Sequence, residues 1–139
     1  MNSTIIFLLI AIAIVGIMVF VAISITSKRR HAFDKEEYQA AWLHIENGVV
    51  KDNEATYTRA IIEADKLLDK ALAEMGVPGK TMGERLKKSG NYFSQLNAVW
   101  HAHKVRNQIA HEHGFTIDYV QTRHALASFK QALKDLEAI

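Results

Sequence analysis

The sequence holds no cysteine and a single proline in 139 residues. The first absence removes disulfides and every thiolate metal ligand, and it fits a reducing compartment without demanding one. An excess of one charge is missing too. Seventeen Lys and Arg face fifteen Asp and Glu, a formal net charge of +2, which is too little for a broad nucleic-acid platform. Any RNA contact must then be local. No segment alternates with period two and no hairpin signal occurs, which argues against β-structure. There is no internal repeat, and the one biased tract lies at the N-terminus.

That tract lacks charge altogether. From Ile5 to Ile25 no Asp, Glu, Lys or Arg occurs, and Ser24 is the one strongly polar side chain. As a helix it would run about 31 Å, the depth of a bilayer core. Gly16 is the one poor helix former in it, and membrane helices tolerate glycine. The segment reads as a retained transmembrane anchor over 1–27. A cleaved secretory signal is the competing reading. It needs a basic start, which "MNST" lacks, and a shorter apolar core, although Ala22-Ile23-Ser24 offers a small-x-small site. Every Lys and Arg follows the span, three of them in "SKRRH" (27–31). This basic juxtamembrane segment, 28–33, predicts a single-pass protein of the cell membrane with its N-terminus outside and residues 34–139 in the cytoplasm.

Beyond the anchor, apolar residues recur at helical spacing. In 34–47 they are Tyr38, Ala41, Trp42 and Ile45, and Asp34 with Glu37 resembles a capping box. No Gly or Pro separates this segment from the span, so one helix continuing to Gly48 is the alternative. Over 53–75 a stripe from Tyr57 through Ile61, Ala64 and Leu68 to Met75 opposes a polar side assigned to Asp65, Lys66, Asp69 and Lys70. Asn53 can cap its start, and Gly76 followed by Pro78 ends it. Thr81-x-x-Glu84 opens a short helix, "MGERLKK". A helix over 94–112 carries Leu96, Val99, Trp100 and His103 on one face. The last, 118–137, is capped by Thr116 or Asp118 and turns Val120, Leu126, Phe129, Leu133 and Leu136 inward. The fold class is all-α: a transmembrane helix, then an antiparallel bundle of four main helices and a short one.

Two motifs fail. "GVPGKT" (76–81) has Glu74 where a phosphate loop needs its first glycine, and no strand precedes it. His101-x-His103 and His111-x-His113 cannot point the same way within a helix, and "HEHGF" is not HExxH. No metal and no cofactor is expected.

"RNQIAH" survives. Asn107 and His111 are four apart and share a helical face, whereas Arg106 lies about 140° around the axis from His111. That divergence favours a site completed by a second copy. Arg106, Asn107 and His111 resemble the R-x4-6-H motif of the HEPN superfamily, small α-helical bundles in which a polar residue often follows the arginine. The resemblance spans roughly 34–138. It implies metal-independent RNA cleavage in a composite site at a homodimer interface, although many members serve only as binding modules.

The chemistry stands on its own terms. Cleaving RNA without metal needs a base for the 2′-OH and an acid for the 5′-oxygen, and histidine can act as either near neutral pH. A guanidinium can grip the charged phosphorane, and Asn107 can orient the histidine or donate to phosphate. The bland reading is a polar helix end favoured by the helix dipole, with Arg106 paired to Glu112 or Asp118. His103, one turn before Asn107, is an accessory candidate, against its role as a core histidine. Lys80, Arg85, Lys87 and Lys88 are weaker candidates for phosphate contact, against a solvated helix surface. Trp42 and Trp100 read as core anchors. Two functions result: a membrane-anchored HEPN-like endoribonuclease, or a non-catalytic helical module that binds another protein at the membrane.

Overall fold

The computed structural model describes residues 3–26 and 32–139, with the backbone alone for 22–26. The basic stretch 27–31, on which the expected orientation rests, lies outside the described residues. Contacts divide the chain into two compact units, Met1–Ala32 and Phe33–Ile139. Six α-helices and one 3₁₀ turn occur among the described residues, and no strand.

The first unit carries α1, Ser3–Thr26. Ser3–Val21 within it is long and apolar enough to cross a membrane, and none of that stretch is buried by protein. A signal sequence near the N-terminus passes the same test of length and hydropathy.

The second unit is a bundle of α2 (Lys35–Asn47), α3 (Glu54–Glu74), α4 (Met82–Lys88), α5 (Leu96–His111) and α6 (Tyr119–Asp135). The single helix continuing to Gly48 is overturned. Residues 32–34 are not helical, and Asp34, in an extended conformation, accepts from the Glu37 amide to start α2 anew. Thr81 caps α4 by accepting from the Glu84 amide, while the Glu84 carboxylate accepts from the amide of Lys80. Between Thr116 and Asp118, the aspartate caps α6 in a full capping box with Gln121. Asn53 stands at the start of α3 but makes no side-chain capping bond. Gly76, at φ +78, supplies the left-handed turn that ends α3.

Helix α3 is the hub, packing against α2, α4, α5 and α6. Its Ile61, Ala64, Leu68 and Leu72 meet Val99 and Ala102 of α5 and Phe129 and Leu133 of α6 in one core, with Tyr38 and Trp42 closing it from α2. Each fully buried large side chain contributes about 1.5–3 kcal/mol. Val120 departs from expectation. It is 61% exposed and lines a groove of about 560 Å³ beside Val105 and Phe115. Ile117, just before the Asp118 cap, takes the buried place instead.

The turn that leads into α5 is pinned to α6 by one carboxylate. Asp135 accepts from the Ser94 amide at 2.8 Å and hydroxyl at 2.7 Å, and from the Gln131 amide at 2.9 Å. Burial pushes this carboxyl up, but the Ser94 and Gln131 donors outweigh it and hold the pKa below the ordinary carboxylate value. Its contribution is therefore full above the unfolded-state pKa and is lost as pH falls through the lowered folded one. Asp135→Asn should cost about 1–2 kcal/mol in urea unfolding at neutral pH. The gap to the unsubstituted chain should close in acid.

Candidate functional site

Between α3, α4 and α5 lies a cleft of about 670 Å³. Its floor is a ring of four polar side chains. Arg106 Nη1 donates to Asn107 Oδ1 at 3.1 Å, and Asn107 Nδ2 donates to His103 Nε2 at 3.2 Å. His103 Nδ1 in turn donates to Asp65 Oδ1 at 2.7 Å. Asp65 Oδ2 closes the ring by facing Arg106 Nε at 3.5 Å, an ion pair without hydrogen-bond geometry. Donation runs one way along the three hydrogen bonds, from Arg106 to Asp65, and the carboxylate at its end sets each partner's role. The carboxylate takes the Nδ1 proton, which leaves Nε2 as the acceptor and turns the Asn107 oxygen toward Arg106.

The ring is buried. Asp65 is 3% exposed and His103 7%. An unmatched carboxylate there would cost several kcal/mol, and the Arg106 guanidinium with the His103 donor supplies the match. This corrects two expectations. Asp65 is not on the polar side of α3, because residue 65 falls on the same stripe as Ile61, Leu68 and Leu72. Arg106 pairs with Asp65, rather than with Glu112 or Asp118, because residues 99, 102, 103 and 106 form the face that α5 turns toward α3. A lone carboxylate on an apolar stripe was the available signal.

His111 is the last residue of α5, exposed, and makes no side-chain hydrogen bond among the described residues. It lines the same cleft as Arg106 and Asn107. One chain therefore brings all three motif residues to one cavity, despite their divergence around the helix. Asn107 and Arg106 are tied down, whereas His111 stands free.

The basic candidates separate. Arg85 is committed to Asp69 at 2.7 Å, which ties α4 to α3. Lys80 and Lys88 are exposed and do not line the cleft, while Lys87 does. Lys66 and Lys104, absent from the earlier candidates, join it there. None of these three cleft lysines has an ion pair among the described residues, whereas the cleft's acids are engaged: Asp65 in the ring, Asp69 with Arg85, and Glu84 with the Lys80 amide. The Glu84 hydrogen bond is to a neutral amide and leaves its charge in place, so the three lysines give the cleft a modest positive excess, which suits an anionic ligand.

Two further residues shape the cavity. Trp42 is a core residue as expected, but Trp100 is only partly buried, lines the cleft and meets the His103 ring edge-to-face at 6.0 Å. Gly83 lies over His103, where an added Cβ would stand 3.5 Å from Nε2. At that distance a Cβ would make ordinary van der Waals contact with Nε2, so glycine leaves uncovered a nitrogen that a larger side chain would cover. Among the described residues, no group of three or more His, Cys, Asp or Glu is placed to hold a metal ion.

The chain matches no family model, no curated protein and no solved structure.

Removing Asp65 should be costly, and more so than removing the whole ion pair. Asp65→Ala should lose about 3–5 kcal/mol in denaturant unfolding. Adding Arg106→Met to it should recover part of that loss, a coupling that a double-mutant cycle measures.

Proposed function

We propose that the protein is a membrane-anchored, HEPN-like endoribonuclease that cleaves RNA without metal. The observation that carries this reading is the meeting of Arg106, Asn107 and His111 in one positively charged cleft, two of them fixed and the histidine free. In this reading His111 transfers a proton at a phosphodiester, and Arg106 grips the phosphorane with donors that the ring leaves uncommitted. Asn107 holds the guanidinium in place. A homodimer is the assembly the family resemblance implies, and the second proton-transfer group comes either from a second copy's His111 or from within the same chain. Helix α1 anchors the bundle at the cytoplasmic face of the cell membrane.

The Asp65–Arg106 ion pair favours a second reading. An arginine neutralised by a buried carboxylate is a weaker phosphate clamp, and the same cleft then serves a non-catalytic module that docks another protein at the membrane.

Cleavage of mixed RNA by the full chain in detergent and EDTA separates the two. The first reading expects cleavage, with His111→Ala slower by about 10²–10⁴-fold and folding stability changed by no more than about 0.5 kcal/mol, since the side chain is exposed. Equal cleavage by both proteins, or none by either, sinks it.

Orientation is open to a direct measurement because the chain has no cysteine. A single cysteine at Ser3 should react with a membrane-impermeant maleimide on intact cells, and one at Ser128 only after lysis. The reverse pattern would place the bundle outside.

A further inference from the structure

We infer that His103 is a second proton-transfer residue of this cleft, with Asp65 as its positioning residue and Gly83 as the opening through which its Nε2 is reached. The inference rests on the cleavage reading and draws the second group from the same chain rather than from a second copy.

Three observations carry it. The 2.7 Å bond to a carboxylate that is itself buried keeps the proton on Nδ1 and the lone pair on Nε2. A base oriented by a third group is the arrangement that proton abstraction requires. Nε2 is not sealed, because His103 lines the cleft and the residue above it has no side chain. No backbone demand accounts for that glycine, since Gly83 sits inside a helix without a positive φ. Finally, the bond Nε2 accepts from Asn107 is 3.2 Å, longer than the one Nδ1 donates to Asp65. A substrate hydroxyl can displace the longer bond and free the Asn107 amide to donate to phosphate.

The step balances within one chain. Nε2 of His103 takes the proton of the 2′-OH as that oxygen bonds to phosphorus. The bond from phosphorus to the 5′-oxygen breaks, and protonated His111 gives its proton to that oxygen. The products are a 2′,3′-cyclic phosphate end and a 5′-hydroxyl end. Solvent then returns a proton to His111 and removes one from His103.

The test combines chemical labelling with cleavage, both on the full chain in detergent. Diethyl pyrocarbonate acylates unprotonated imidazole nitrogen, and peptide mass spectrometry locates the adduct. His103 should be labelled at Nε2 despite its burial. Gly83→Val should slow that labelling at least tenfold while leaving His111 labelling unchanged, and Gly83→Ala, the milder variant, should slow it less. Asp65→Asn, whose amide can donate to Nδ1, should shift the ring to its other tautomer and abolish labelling at Nε2. A merely structural role for Asp65 would not move the adduct. His103 left unlabelled where His111 reacts, or labelled equally in Gly83→Val, overturns the inference. For cleavage, a mixture of His103→Gln and His111→Ala chains should be no more active than either alone, and recovery on mixing assigns the pair to two copies instead. If the unsubstituted chain does not cleave, the cleavage reading falls and this inference falls with it. If it cleaves while the labelling fails, the inference falls alone.

Discussion

Asp65 is a carboxylate in the interior of the helix that every other helix of the bundle touches. Its neighbours along the stripe, Ile61 and Leu68, are fully buried, so the charge has no route to water through α3. It must be matched from α5, and two residues three positions apart there do so: His103 and Arg106. Because both contacts come from one helix face, they fix the rotation and the register of α5 against α3. Asn107 then follows as the residue that can bridge them, and Arg106, Asn107 and His103 come together at the cleft wall. Helix α4 is brought over the other side by a second pair, Arg85 with Asp69.

Stability alone does not account for this ring. Buried ion pairs seldom outperform apolar side chains of similar volume, since desolvation offsets most of the Coulombic gain. An apolar seam at 65, 103 and 106 would pack α3 on α5 at least as well. Gly83 adds to the same side of the balance, because a Cβ would fit there at ordinary contact distance but would cover Nε2 of His103. Residues that are locally unfavourable and spatially adjacent mark a place where presentation of groups, rather than packing, decides what is there.

The parts of this fold that could be read from the sequence are those set by local chemistry. Asp34, Thr81 and Asp118 cap helices because their side chains reach amides three residues on, and Gly76 ends α3 because it tolerates the left-handed turn. The short helix "MGERLKK" is legible for the same reason. What could not be read depends on partners far along the chain. The charge of Asp65 argues for solvent while its position on the stripe points inward, and the His103 donor thirty-eight residues away helps to make that burial tolerable. The grouping of Lys66, Lys87 and Lys104 likewise needs three helices to be packed before it exists. Val120 shows the limit of periodicity itself: at the start of α6 it lies beyond the reach of the core, and Ile117 of the preceding loop fills that place.

The ring also decides how charge is divided within the cleft. Arg106 gives one donor to Asn107 and turns Nε to Asp65, yet a guanidinium has five N–H groups, so others stay available. Its charge is largely offset by Asp65, which weakens it as a distant attractor of anions. The three lysines, unpaired among the described residues, are suited to that long-range task but hold no fixed geometry on their flexible stems. Attraction and orientation therefore fall to different residues. For an anionic ligand, the lysines would raise its local concentration, and the arginine, already held by Asn107 and Asp65, would meet it without first losing side-chain freedom. A cleft with the lysines alone would bind loosely, and one with the ring alone would have little charge to bind with.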